Sequence, residues 1–189
     1  MWKQLLHLLK SATIGRSVPA SAGTPFYVYR VKTPEGDRDL VSLLSGAFEF
    51  GLIEEAIVGE CTQSLEDGKH VTEANFRPNP TFVRLLHHVI ARHAPQLPAL
   101  RAEARRQHTG WVYVIDARTA SPDGHVPPCD IIGGFEVRSG EVAPGSYRPN
   151  TDHKLLTANG VFRLEPALHE RLMEQINERI VARSHHVTG

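Results

Sequence analysis

The groups in this chain best suited to chemistry are a few arginines and hydroxyls set beside aromatic rings. Arg30 sits near the end of the apolar run Phe26-Tyr27-Val28-Tyr29-Arg30-Val31. A guanidinium there has two readings. It is a rigid fork of donors for a phosphate or carboxylate, or the charged tip of an edge strand reaching solvent. The loop Ser146-Tyr147-Arg148-Pro149-Asn150-Thr151-Asp152-His153 is a second dense set. Tyr147 offers a ring for stacking, Arg148 a cation and Asn150 an amide, a combination that suits a nucleotide or a protein partner. An ordinary surface loop is polar in the same way without any ligand. Cys129, with His125 and Asp130 close by, has the composition of a thiol nucleophile and base. Proximity in sequence is not geometry, however, and a cysteine beside Pro127-Pro128 also fits a structural role. His87 and His88 project about 100° apart on a helix, and the interval to His93 is poor for a metal. The chain holds no Cys-x-x-Cys pair, phosphate loop or dinucleotide glycine fingerprint.

The bulk composition narrows the classes. The chain has 189 residues, enough for one well-buried domain, with 21 basic and 21 acidic side chains in balance. Zero net charge argues against general binding to nucleic acid or to a membrane surface. A small basic cluster at Arg101, Arg105 and Arg106 is the local exception, and eleven histidines add charge below neutral pH. Two cysteines, Cys61 and Cys129, are too few for a disulfide framework and read as small buried residues. No apolar run reaches the length of a bilayer span.

The elements that must position these groups follow from spacing. Residues 1–24 read as a leader: an apolar helical pattern to Lys10, then a linker rich in Ser, Ala, Gly and Pro over 11–24. Such a leader is an export address or a disordered tail. A single domain over 25–183 follows, and 184–189 read as a disordered tail. Strand one covers about 26–32, and Thr33-Pro34-Glu35-Gly36-Asp37 is a turn. Asp39 to Ala47 reads as a short helix with Leu40, Leu43 and Leu44 on one face. His70-Val71-Thr72 reads as a short strand. Asn79-Pro80 starts a helix that carries Phe82, Leu85, Leu86, Val89 and Ile90 inward and stops at Pro95 and Pro98. A basic helix over about 99–107 comes next. Trp111-Val112-Tyr113-Val114-Ile115-Asp116 is the strongest strand signal, and its unbroken apolar run predicts burial on both faces. A strand over 130–137 contains Gly133-Gly134, a sign of a bulge or close backbone approach. Ser139-Gly140 and Asn159-Gly160 read as hairpin turns. Pro166 opens a final helix with Leu168, Leu172, Ile176 and Ile180 in one stripe. The sum is an α+β domain.

The order of these segments resembles the ADP-ribosyltransferase fold of the cholera and pertussis toxin type over roughly residues 26–138. Val28-Tyr29-Arg30 matches the first strand of that family, Gly110-Trp111-Val112-Tyr113-Val114-Ile115 a later strand, and Val126-Pro127-Pro128-Cys129-Asp130-Ile131 the segment leading into the next. His70-Val71-Thr72-Glu73 stands where the family has Val-Ser-Thr-Ser and keeps one hydroxyl. The resemblance implies a split β-sheet core with flanking helices, NAD as substrate, and transfer of ADP-ribose to a macromolecule or NAD hydrolysis. In that reading Arg30 and Tyr29 bind NAD, with Tyr147 and Arg148 as further binding residues, and Thr72 supports the site strand. It also implies a bacterial toxin or effector that a secretion system delivers into a target cell, with a protein as target.

The chain departs from the family at its catalytic glutamate. The segment 117–125 contains no glutamate, and Asp123 is its sole acid. Asp123 is therefore the candidate that stabilises the charge developing as nicotinamide leaves; its other reading is an ordinary Asp-Gly turn residue. Two functions stay open: a divergent transferase or NAD glycohydrolase, and a module of the same fold that binds a protein or nucleotide without turnover, in an effector, immunity or regulatory role.

Overall fold

The structure, a computed structural model, describes residues 13–18, 26–45, 53–65, 70–118 and 125–187. Among the described residues, two larger antiparallel sheets, a two-stranded hairpin and three α-helices surround one apolar core in an α+β arrangement. The first sheet is a meander of β1 (Thr13–Val18), β2 (Phe26–Thr33), β3 (Gly36–Ser42), β4 (Ile57–Cys61) and β5 (Phe76–Pro78), paired in that order. α1 (Pro80–His93) and α2 (Pro98–Gln107) follow. The second sheet places β6 (Gly110–Ile115) beside β7 (Ile131–Arg138), which pairs on its other side with β8 (Glu141–Val142) and β9 (Arg148–Pro149). A small hairpin of β10 (Leu156–Thr157) and β11 (Gly160–Val161) precedes α3 (Pro166–Val187).

Several expectations from sequence are met by the local chemistry. Asn79 caps α1: its side-chain oxygen accepts from the Thr81 N–H at 3.0 Å. Its amide nitrogen donates to the carbonyls of Glu54 at 2.7 Å and Ile57 at 2.8 Å, so the same side chain fastens the helix to the entry of β4. α1 buries Phe82, Leu85, Leu86, Val89 and Ile90, as its spacing requires. α3 packs against α1 through Leu168, Leu172 and Ile176, all nearly inaccessible. Burying one such side chain contributes about 1.5–3 kcal/mol, so this stripe decides how the helix docks. Ser139 and Gly140 both have positive φ, 52° and 79°, the geometry of a tight hairpin turn.

Four segments differ from the sequence reading. Residues 39–47 were expected to be helical, but Asp39 to Ser42 belong to β3, with Leu40, Val41 and Ser42 wholly buried. A strand covered on both faces shows an unbroken apolar run that imitates a helical stripe. Thr13–Val18, within the expected linker, pair with β2 as an edge strand. His70 to Thr72 form no strand; Thr72 instead precedes a short 3-10 turn over Glu73–Asn75. β6 alternates, with Val112 and Val114 buried while Trp111, Tyr113 and Ile115 face outward. The rest of the leader and Asp123 lie outside the described residues. No helix among the described residues is long and apolar enough to cross a membrane.

One polar cluster locks the far end of the second sheet. Asp116, directly after β6, is inaccessible to solvent. Its Oδ1 accepts from the backbone N–H groups of Arg118 at 3.1 Å and Arg163 at 2.9 Å. Its Oδ2 lies 3.1 Å from Arg118 Nη2 and 3.1 Å from His153 Nε2. Arg118 also reaches Asp130 Oδ1 at 3.3 Å and donates to the Gly160 carbonyl at 2.9 Å. Backbone bonds follow the same path, from Asp116 N–H to the Asp130 carbonyl at 2.7 Å and from Ala117 N–H to the Arg163 carbonyl at 2.8 Å. Replacing Arg118 with methionine leaves two buried carboxylates without their cation. We expect a loss of about 3–5 kcal/mol in urea unfolding; a loss under 1 kcal/mol would show that this cluster does not carry the fold as drawn.

Candidate functional site

The outer face of the second sheet is built by one cross-strand rule. Partners directly opposite on antiparallel strands share a face. Tyr113 on β6 lies opposite Gly134 on β7, which in turn lies opposite Arg148 on β9. One row across the sheet therefore reads aromatic ring, no side chain, guanidinium. The glycine is required there, because a Cβ placed on Gly134 would sit 2.9 Å from Tyr113 Cδ1, so the tyrosine ring lies down over it. Trp111 and Ile115 extend the same face along β6, and Trp111, Tyr113 and Ile115 are 38 %, 51 % and 44 % exposed. The result is a cavity of about 350 Å3 lined by Trp111, Tyr113, Ile131, Arg148 and Pro149 over the glycine floor.

The Arg148 guanidinium has no hydrogen-bond or ion-pair partner among the described residues. Its charge, after the bond from Arg138, helps hold the Glu136 carboxyl below the usual range. Asn150, the amide expected to meet a ligand, is engaged by the protein. Its Nδ2 donates to the carbonyls of Pro128 at 2.7 Å and Ile131 at 2.8 Å, which shapes one rim of the cavity.

Tyr147 turns the other way, as the residue before Arg148 on a strand must. It lies under β7, where a Cβ on Gly133 would meet its hydroxyl at 2.6 Å. Its ring stands 5.0 Å from that of Phe135, and its hydroxyl is 2.7 Å from His87 Nδ1. Burial holds the Tyr147 hydroxyl well above its ordinary value. Burial, and then the nearby His153, pushes the His87 imidazole down.

The remaining candidates lie elsewhere. Arg30 and Tyr29 belong to the first sheet. Arg30 Nε and Nη2 make a fork to the Asp39 carboxylate at 2.8 and 2.9 Å, and Nη2 lies 3.2 Å from Ser64 Oγ. Asp39, directly opposite on β3, is buried and also accepts from the Leu65 N–H at 2.7 Å. The same acid, behind the larger effect of burial, pushes the nearby Cys61 thiol up to about 12. The Tyr29 hydroxyl is buried and donates to the Leu44 carbonyl at 2.6 Å. Thr72 is exposed beside Asn75, whose Oδ1 accepts the Thr72 N–H at 2.7 Å. The binding set expected from sequence is thus divided between two sheets, and Arg148 is its member on the cavity. Trp111, Tyr113 and Gly134 complete that site. Their signal was the alternation of β6 against a glycine pair on β7, which an unbroken apolar run concealed.

The His87 environment sets a pH dependence. The folded chain resists protonating this imidazole, whereas the unfolded chain binds the proton as pH falls through about 6.5. Stability contributed by neutral His87 is present above that value and declines below it. Urea midpoints measured from pH 8 down to about pH 5 should fall, and His87→Asn should flatten the fall; an unchanged slope in the variant would refute this origin. No family model matches the chain, and neither the curated proteins nor the solved structures contain a significant match to it.

Proposed function

We propose that this protein is a binding module whose cavity on the second sheet takes a nucleotide and does not turn it over. The observation that supports this most is the row Tyr113, Gly134, Arg148 with Trp111 beside it. A base can stack on exposed indole and phenol rings, and a guanidinium with no hydrogen-bond or ion-pair partner among the described residues is suited to the phosphate. The volume fits a small ligand rather than a protein side. The polar groups lining the cavity are the Arg148 guanidinium, the Asn150 amide, the Tyr113 hydroxyl and the Trp111 N–H, with no carboxylate, thiol or imidazole among them. An effector, immunity or regulatory role is the setting we propose for such a module.

The test is a titration of intrinsic tryptophan fluorescence with AMP, ADP-ribose and NAD. Binding should quench Trp111, and Arg148→Ala should weaken it about tenfold, the scale of one charge-assisted hydrogen bond. Trp111→Ala should weaken it by a similar factor, read by calorimetry. Gly134→Val should abolish it by filling the floor. No binding, or binding indifferent to all three changes, would overturn the proposal, and binding of a protein alone would reassign the cavity to that partner.

A second reading keeps turnover. In it the chain has the ADP-ribosyltransferase-type core, cleaves NAD with Arg30, Thr72 and Asp123 in their implied roles, and acts as a toxin on a protein target. The exposure of Arg30 favours it, since its side chain is 32 % exposed and so within reach of a phosphate from outside. Nicotinamide release from NAD that falls in Arg30→Lys supports this reading. No release at high protein concentration, with or without a eukaryotic cell extract, removes it.

A further inference from the structure

We propose that the cleft between α2 and the β7–β8 turn is a separate anion site that takes a diphosphate group. Its walls are Arg101, Ala104 and Arg105 of α2, Gln96 of the preceding turn, and Gly140 with Glu141 of the hairpin, around about 300 Å3. It shares no residue with the nucleotide cavity. Arg101 and Arg105 are four residues apart, so they project from one helix face about 6 Å apart along the axis. Neither makes an ion pair or side-chain hydrogen bond among the described residues. The adjacent Arg106 does, to Glu103 at 2.8 and 2.6 Å, so the one acid of this helix is turned away from the cleft. Two like charges one turn apart and facing the same cavity call for a doubly charged partner.

The opposite wall is fixed rather than incidental. The Gly140 N–H donates to the His108 carbonyl at 2.8 Å, which seats the hairpin tip on the end of α2. A Cβ at Gly140 would come within 3.5 Å of Arg105 Cα, and its φ of 79° disfavours a side chain in any case. Glu141 stands on this wall as a negative group. It repels an extended polyanion such as a nucleic-acid backbone and leaves room for a compact one. A diphosphate offers a separate phosphate to each guanidinium, whereas a single phosphate must share its oxygens and its smaller charge between the two. The competing account is that the arginines merely offset the negative end of the helix dipole, with no ligand.

Calorimetry with sodium pyrophosphate and with inorganic phosphate, at ionic strength held constant with sodium chloride, separates these accounts. Pyrophosphate should bind about tenfold or more tightly than phosphate. Arg101→Gln/Arg105→Gln, both exposed, should keep the circular dichroism spectrum and lose binding, and Glu141→Gln should tighten it. No heat beyond the chloride control, or undiminished binding in the double variant, overturns the site. Loss of pyrophosphate binding in Arg148→Ala with retention in the double variant would place the anion in the nucleotide cavity instead.

Discussion

Two carboxylates, those of Asp116 and Asp130, are buried at the end of the second sheet, and each opposes its own burial strongly unless a cation lies against it. Arg118 supplies that cation. Its Nη1 and Nη2 reach both acids and the carbonyl of Gly160, while Nε is left without a partner among the described residues. Everything that makes the second sheet a platform passes through this point. The end of β6, the turn into β7, the segment carrying His153 and the strand leading to α3 are distant in sequence. They meet because the Asp116 carboxylate accepts from Arg118, Arg163 and His153, while the Arg118 guanidinium reaches on to Asp130. The hydrophobic core then closes over the inner faces, with Val112, Val114, Phe135 and Phe162 packed against α1 and α3.

With the inner faces so occupied, the character of the outer face depends on which side chains are missing. Gly133 admits the Tyr147 ring beneath the sheet, and Gly134 admits the Tyr113 ring above it. Adjacent glycines serve opposite faces of one strand, one seating a buried ring and one seating a ring at the open cavity. The first sheet shows the contrary solution. There Arg30 has an acid directly opposite and is held by it, whereas Arg148 has a glycine opposite and stands clear. The same residue type is structural in one row and available in another because of its cross-strand neighbour.

That contrast explains what could be read from the chain. Caps and turns were legible because their chemistry is local: Asn79-Pro80, Ser139-Gly140 and Asn159-Gly160 act on their own backbones. The helices α1 and α3 were legible from their apolar spacing, and α2 as a basic run following Pro98. β3 was not, because burial on both faces removes the alternation that marks a strand. The orientation of β6 was hidden by an apolar outer face. Arg148 could be singled out as a type, but its availability depends on Gly134, on a strand reached only after a turn and a loop. Arg118 gave no signal, since only folding brings Asp130 and His153 to it.

The salt-linked cluster has a consequence for how such a chain can diverge. Asp116, Arg118, Asp130 and His153 share one network, so replacing any one of them alone strands a buried charge or donor, and the intermediates between two good sequences are poorly stable. These four positions are bound to change together or not at all. Trp111, Tyr113 and Arg148 carry no comparable obligation, because each side chain stands on the solvent side of the sheet. Mutational drift is therefore channelled to the outer face: the platform is inherited as a block, and the chemistry displayed on it is free to vary.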